Sequence, residues 1–84
     1  MKLREQAGNI QTRDDLALFI QHLIQDFRTC PEQWENTTLD SYLEAVATWI
    51  KDMDGYYRNR GETAPKHPTW RHMGEILLAA RIYE

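Results

Sequence analysis

Asp52-Met53-Asp54-Gly55 sets two carboxylates at alternate positions ahead of a glycine, the way a calcium loop opens its oxygen cage. Counted from Asp52, the next ligand position holds Tyr56 and the bidentate position holds Thr63, so the cage is not completed. The two aspartates read instead as the solvated flank of a helix. Soft ligands are confined to His22, His67, His72 and Cys30, and zinc requires four ligands at short recurring spacings. Nucleophilic chemistry would fall to Cys30 or to Ser41, the only serine, beside a base. A lone cysteine ahead of Pro31 reads as a small buried hydrophobe, and Ser41 as support for the first turn of a helix. The four glycines, at 8, 55, 61 and 74, are too scattered for a phosphate loop. No catalytic residue, metal or cofactor is assigned from these residues.

Recognition is better provided for than reaction. Between Arg58 and His72 the chain carries Arg58, Arg60, Lys66 and Arg71 against Glu62, whereas residues 1 to 57 hold ten acids against five bases. Interleaved with Tyr56, Tyr57 and Trp70, this patch could hold an acidic protein or stack single-stranded RNA. The plainer reading has the cations complementing helix-end carbonyls and the aromatics in the core. A net charge of −3 argues against a nucleic-acid footprint over the whole surface. Pro65-Lys66-His67-Pro68 has P-x-x-P spacing without a base at the flanking position that adaptor ligands use, and reads as a rigid hinge.

These residues must be positioned by helices. Thr12, followed by Asp14 and Asp15, predicts a helix over 13 to 28 whose face is Leu16, Phe19, Ile20, Leu23, Ile24 and Phe27. Thr29-Cys30-Pro31 ends it, with a short helical turn expected near Pro31 to Trp34. A second helix starts at Thr37 or Thr38 and runs to Asn59, closed by Gly61 in a left-handed conformation. Its expected buried face is Leu39, Tyr42, Leu43, Val46, Trp49, Ile50, Met53 and Tyr57. Thr69 caps a third helix over 69 to 83, with Trp70, Met73, Ile76, Leu77, Ala80 and Tyr83 on its main face and Leu78 and Ile82 on another. That helix either sits centrally or offers a surface to a partner.

The fold class is therefore all-α, a small bundle of three main helices with a Pro/Trp-containing connection after the first. Eighty-four residues accommodate one domain, assigned to 12–84 behind an N-terminal segment 1–11, with a core near the lower limit for independent folding. One cysteine makes no internal disulfide, the start lacks a signal-peptide pattern, and there is no run of eighteen apolar residues. A cytoplasmic, non-membrane location is the expectation.

The run Trp34-Glu35-Asn36-Thr37-Thr38-Leu39-Asp40-Ser41-Tyr42-Leu43, with Asp52-Met53-Asp54-Gly55-Tyr56-Tyr57 and the ending Ile76 to Glu84, resembles a family of small bacterial proteins. That family is an uncharacterised W-E-N-x-T-L-x-x-Y-L domain, and the likeness covers about residues 12 to 84. It implies a compact, stand-alone bacterial domain and transfers no catalytic residue.

The leading expectation is a non-enzymatic protein-interaction module of immunity or regulatory type. Its candidate partner-binding residues are Tyr56, Tyr57, Arg58, Arg60, Lys66, Arg71, Leu78 and Ile82, because the tyrosine pair and the second apolar side of the last helix exceed what one core needs. The partner is a protein, and a homodimer is one way of covering those side chains. An RNA-associated role for the 58–72 segment ranks second. A small hydrolase built on Cys30, or on Asp52 and Asp54, ranks third.

Overall fold

The computed structural model describes residues 2–61 and 67–83, and among them every regular element is helical. α1 spans Leu3–Gly8, α2 Arg13–Thr29, α3 Leu39–Asn59 and α4 Trp70–Ala79, with a 3-10 turn at Pro31–Gln33 between α2 and α3. Each long helix starts where a hydroxyl can accept the amide proton of the third helical residue. Thr12 accepts from Asp15, Thr38 from Ser41 and Thr69 from His72, and in each case the third residue's side chain returns a bond to the capping amide. Thr38 rather than Thr37 therefore caps α3, and Ser41 supports its first turn as expected. Gly61 closes α3 at φ +73°, a conformation open to glycine because it has no Cβ.

α4 is the organising element: it packs against α1, α2 and α3, whereas the α2 and α3 backbones do not approach each other. A helix with apolar residues on two sides is thus accommodated centrally. The tightest core joins Ala7, Ile10, Leu16, Phe19 and Leu23, with Leu3, Trp34, Leu77 and Leu78 packed against it. Phe19 is the one large side chain wholly removed from solvent among the described residues. Residues Leu3, Ala7 and Ile10 come from the segment ahead of Thr12. Their four-and-three spacing is helical, but the run is too short and too charged to stand out from its surroundings. Ile10 also approaches α4 so closely that a Cβ on Gly74 would collide with its side-chain tip.

The buried side of α3 differs from the expected one. Leu39, Leu43 and Ile50 face solvent, at 75%, 55% and 48% exposure, while Ala45 and Tyr57 are buried and Tyr42 and Trp49 half-buried. At about 100° per residue, the face turned inward along most of the helix lies roughly 90° from the aliphatic stripe. Aromatic rings with polar handles, rather than the aliphatic residues, reach α4 and its following turn. Ile20 and Ile24 of α2, and Trp70 and Met73 of α4, are likewise exposed, although the spacing placed them in the core.

A basic aromatic cleft beside the end of the last helix

The cleft exists because the chain after α4 is held down from three directions. A helix leaves its last carbonyls without intrahelical donors. Here Asn36 donates its side-chain amide protons to the Ala80 and Tyr83 carbonyls at 2.9 and 2.7 Å. The amides of Glu35 and Asn36 both donate to the Arg81 carbonyl, at 2.9 and 3.1 Å. The Tyr42 hydroxyl donates to the Leu77 carbonyl at 2.7 Å, and burial pushes its pKa up to about 12 against the opposing pull of Arg81. Arg81 in turn bonds the Leu78 carbonyl at 3.2 Å and pairs with Asp26 at 3.3 Å. The same Asp26 oxygen accepts from the Trp34 indole at 2.8 Å. The Trp34-Glu35-Asn36 run and Tyr42 are therefore a clasp on the end of α4.

This clasp places Arg81, Ile82 and Tyr83 against the C-terminal half of α3. Trp49 and Tyr56, seven residues apart on α3, share a face, with ring centroids 5.0 Å apart. Tyr83 meets Trp49 edge-on at 5.1 Å, and its hydroxyl donates to Asp52 at 2.7 Å. That bond to a carboxylate raises the Tyr83 phenol above its ordinary value, with burial a smaller cause. Tyr57 lies edge-on to Tyr56 at 5.2 Å, and Arg60 is laid over the Tyr56 ring with a 2.6 Å bond to its hydroxyl.

Together these groups line a cleft of about 650 Å³ between α1, α3 and the turn after α4. Among the described residues, Arg4 of α1 joins Arg60 and Arg81 on its walls against a single carboxylate, Glu75. Arg81 is partly offset by Asp26, and Glu75 by Arg71 at 3.9 Å. The described lining is thus basic on a chain whose net charge is −3.

Of the sequence-derived candidates, Tyr56, Tyr57, Arg60, Leu78 and Ile82 all line this cleft. Tyr56 and Ile82 are exposed, whereas Tyr57 is buried and Leu78 also packs on the core, so those two serve as wall rather than as free surface. Arg58 is exposed but outside the lining, and Arg71 is exposed and paired with Glu75 beside a separate depression that holds Trp70. Lys66 lies outside the described residues, as do Pro65 of the P-x-x-P stretch and the side chain of Asp54. Trp49 and Tyr83, read as core from their spacing, are half-buried cleft residues. Arg4 carried no local signal at all, since its role depends on where α1 docks.

Cys30, His22 and Asp26 border one shallow depression beside α2. His22 Nδ1 is bonded to the Gln6 amide oxygen at 2.8 Å, and Asp26 is occupied by Trp34 and Arg81. Neither group is engaged with the thiol. No cluster of three or more His, Cys, Asp or Glu suited to a metal occurs among the described residues, and none of the helices among them is long and apolar enough to cross a membrane.

Compared with known proteins, the chain matches one family model, described as a family of unknown function, DUF7660, across residues 12–84. No curated protein and no solved structure matches it. The match spans most of the chain, which therefore belongs to that family.

Proposed function

We propose that this member of DUF7660 is a protein-interaction module of regulatory or immunity type, holding an acidic segment of a partner protein in the cleft between α1, α3 and the turn after α4. The observation that carries this reading is the convergence of Trp49, Tyr56, Tyr83, Arg4 and Arg60 on one cavity. Tryptophan, tyrosine and arginine are the side chains that dominate binding energy where proteins meet. The aromatic faces supply contact area at little cost in side-chain freedom, and guanidinium groups form paired bonds to carboxylates. A partner segment with one apolar side chain flanked by Asp or Glu matches that lining.

Selection from a displayed random-peptide library tests the reading. The expected winners are acidic around a single apolar residue and lose about tenfold or more in affinity when Arg60→Glu reverses the wall charge. Winners without acidic bias, or insensitive to Arg60→Glu and Arg4→Glu together, overturn it. Titration with single-stranded RNA at two salt concentrations separates the other reading of the basic residues, because phosphate contacts weaken steeply with salt.

A further inference from the structure

The cap that opens α4 differs in chemistry from those of the other two long helices. Thr12 is answered by the carboxylate of Asp15 and Thr38 by the hydroxyl of Ser41, whereas Thr69 is answered by an imidazole. The backbone amide of Thr69 donates to His72 Nδ1 at 3.0 Å. The Thr69 hydroxyl lies 3.0 Å from the same nitrogen and accepts the His72 amide proton at 3.2 Å. Because a backbone amide only donates, Nδ1 presents its lone pair there and the proton of the neutral ring sits on Nε2. The complete cap therefore requires His72 to be uncharged.

A second proton on the ring removes that acceptor. The Thr69 hydroxyl can turn to accept from the new Nδ1–H, but the Thr69 amide has no such freedom and is left facing a cation. The charge also falls at the positive end of the helix dipole, in a first turn that holds no acidic residue. Among the described residues, the surroundings offer the cation little. On α4 itself, Arg71 and Glu75 are occupied with each other at 3.9 Å. From α3 comes the uncharged ring of Tyr57, edge-on to His72 at 6.1 Å. The α1–α2 side presents Ile10, Leu16 and Phe19 to Gly74, two residues further along. Arg4 of α1 and Arg60 after α3 share a cleft lining with Tyr57 and Glu75, and their charge is of the same sign as the incoming proton.

His22 behaves in the opposite way. Its Nδ1 faces the Gln6 amide oxygen at 2.8 Å, an acceptor to which the neutral and the cationic ring can both donate. His67 is exposed, ahead of the cap.

We infer that His72 is a proton-operated cap: uncharged, it holds the first turn of α4, and protonated, it releases the Thr69 amide and lets that turn fray. Imidazole is the side chain whose charge ordinarily changes between about pH 5 and 8, so the device answers to mild acid. The turn it loosens carries Trp70 and Met73 and leads into Gly74, which is packed on Ile10. Since α4 packs against α1, α2 and α3, the disturbance begins in the helix common to all the interhelical contacts. None of this depends on what the basic cleft holds.

Nuclear magnetic resonance of the unsubstituted chain, followed from about pH 8 down to about pH 5, is the test. In the neutral ring, Nδ1 is expected to carry no proton. On acidification the Thr69 amide signal is expected to move with the same midpoint as the His72 ring. The amides of His72 and Met73, which donate to the Thr69 hydroxyl and carbonyl, are expected to lose about fivefold in protection, as suits the loss of a helix cap. Glutamine partners a capping threonine without titrating, so His72→Gln is expected to keep the cap and abolish the acid response, while His67→Gln leaves both in place. A neutral ring with its proton on Nδ1, a Thr69 amide indifferent to the protonation of His72, or an acid response that survives His72→Gln overturns the proposal. The first two readouts need no substitution, and so decide the question even where a variant folds poorly.

Discussion

The side-chain amide of Asn36 stands 2.7 Å from the carbonyl oxygen of Tyr83, forty-seven residues further along the chain. With its second bond to Ala80, this one side chain satisfies two acceptors that the end of α4 leaves open. Asn36→Ala is expected to cost about 2 kcal/mol, because both partly buried carbonyls lose their donor. Asn36→Asp is expected to cost more, since it turns a carboxylate toward carbonyl oxygens. Urea denaturation measures both, and an unchanged midpoint for Asn36→Ala would remove the clasp as a stabilising feature.

Tyr42 makes stability sensitive to alkali. Its pKa is held at about 12 by burial, against 10.0 for an ordinary phenol, so the folded chain keeps a proton that the unfolded chain releases. The stabilisation is complete below pH 10.0 and is lost as pH rises through about 12. Screening of the half-exposed group limits this loss to on the order of 1–2 kcal/mol. Tyr42→Phe is expected to be weaker at neutral pH by about 1 kcal/mol, for lack of the bond to Leu77, and flatter in alkali. Parallel slopes for the two proteins between neutral and strongly alkaline pH would contradict the assignment.

Two helical glycines are expected to respond oppositely to a larger residue. A Cβ at Gly55 meets open space, so Gly55→Ala is expected to stabilise α3 by about 0.5–1 kcal/mol. A Cβ at Gly74 meets Ile10 too closely and touches Leu16 and Phe19 at 3.6 Å, so Gly74→Val is expected to cost about 1–3 kcal/mol. Thermal unfolding of the two variants reads both signs in one experiment.

Trp49→Ala separates wall from core. Trp49 is half-buried between Tyr56 and Tyr83, so its loss is expected to cost about 2 kcal/mol, below the 3–5 kcal/mol of a fully enclosed tryptophan. Selected acidic peptides should lose binding to this variant at temperatures where it remains folded. Full retention of peptide binding would move the recognition surface elsewhere.

Much of the architecture is written in local signals. Thr12, Thr38 and Thr69 mark three helix starts, the Thr29-Cys30-Pro31 break precedes a 3-10 turn, and Gly61 ends α3 as its type demands. Periodicity gave the axis of α3 but not its rotation. The aliphatic stripe from Leu39 to Ile50 and the aromatic edge from Tyr42 to Tyr56 are adjacent, and bonds to the end of α4 and contacts with the turn beyond it turn the aromatic edge inward. Such pairings are set by distant residues, so no window of the sequence contains them. The cleft was half legible for the same reason. Tyr56, Arg60 and Ile82 stand out by type, whereas Arg4 and Arg81 acquire their place only once α1 and Asp26 have docked.

Assembly order follows from the bond between the connection after α2 and the turn after α4. Residues 81–83 form one side of the cleft and are held through the bonds of Asn36 to Ala80 and Tyr83, so the cleft is not closed until this stretch has met the connection made some forty-five residues earlier. A ligand of the proposed kind, seated against Arg81, Ile82 and Tyr83, favours that long-range closure, and so acts as a brake on unfolding as well as a passenger.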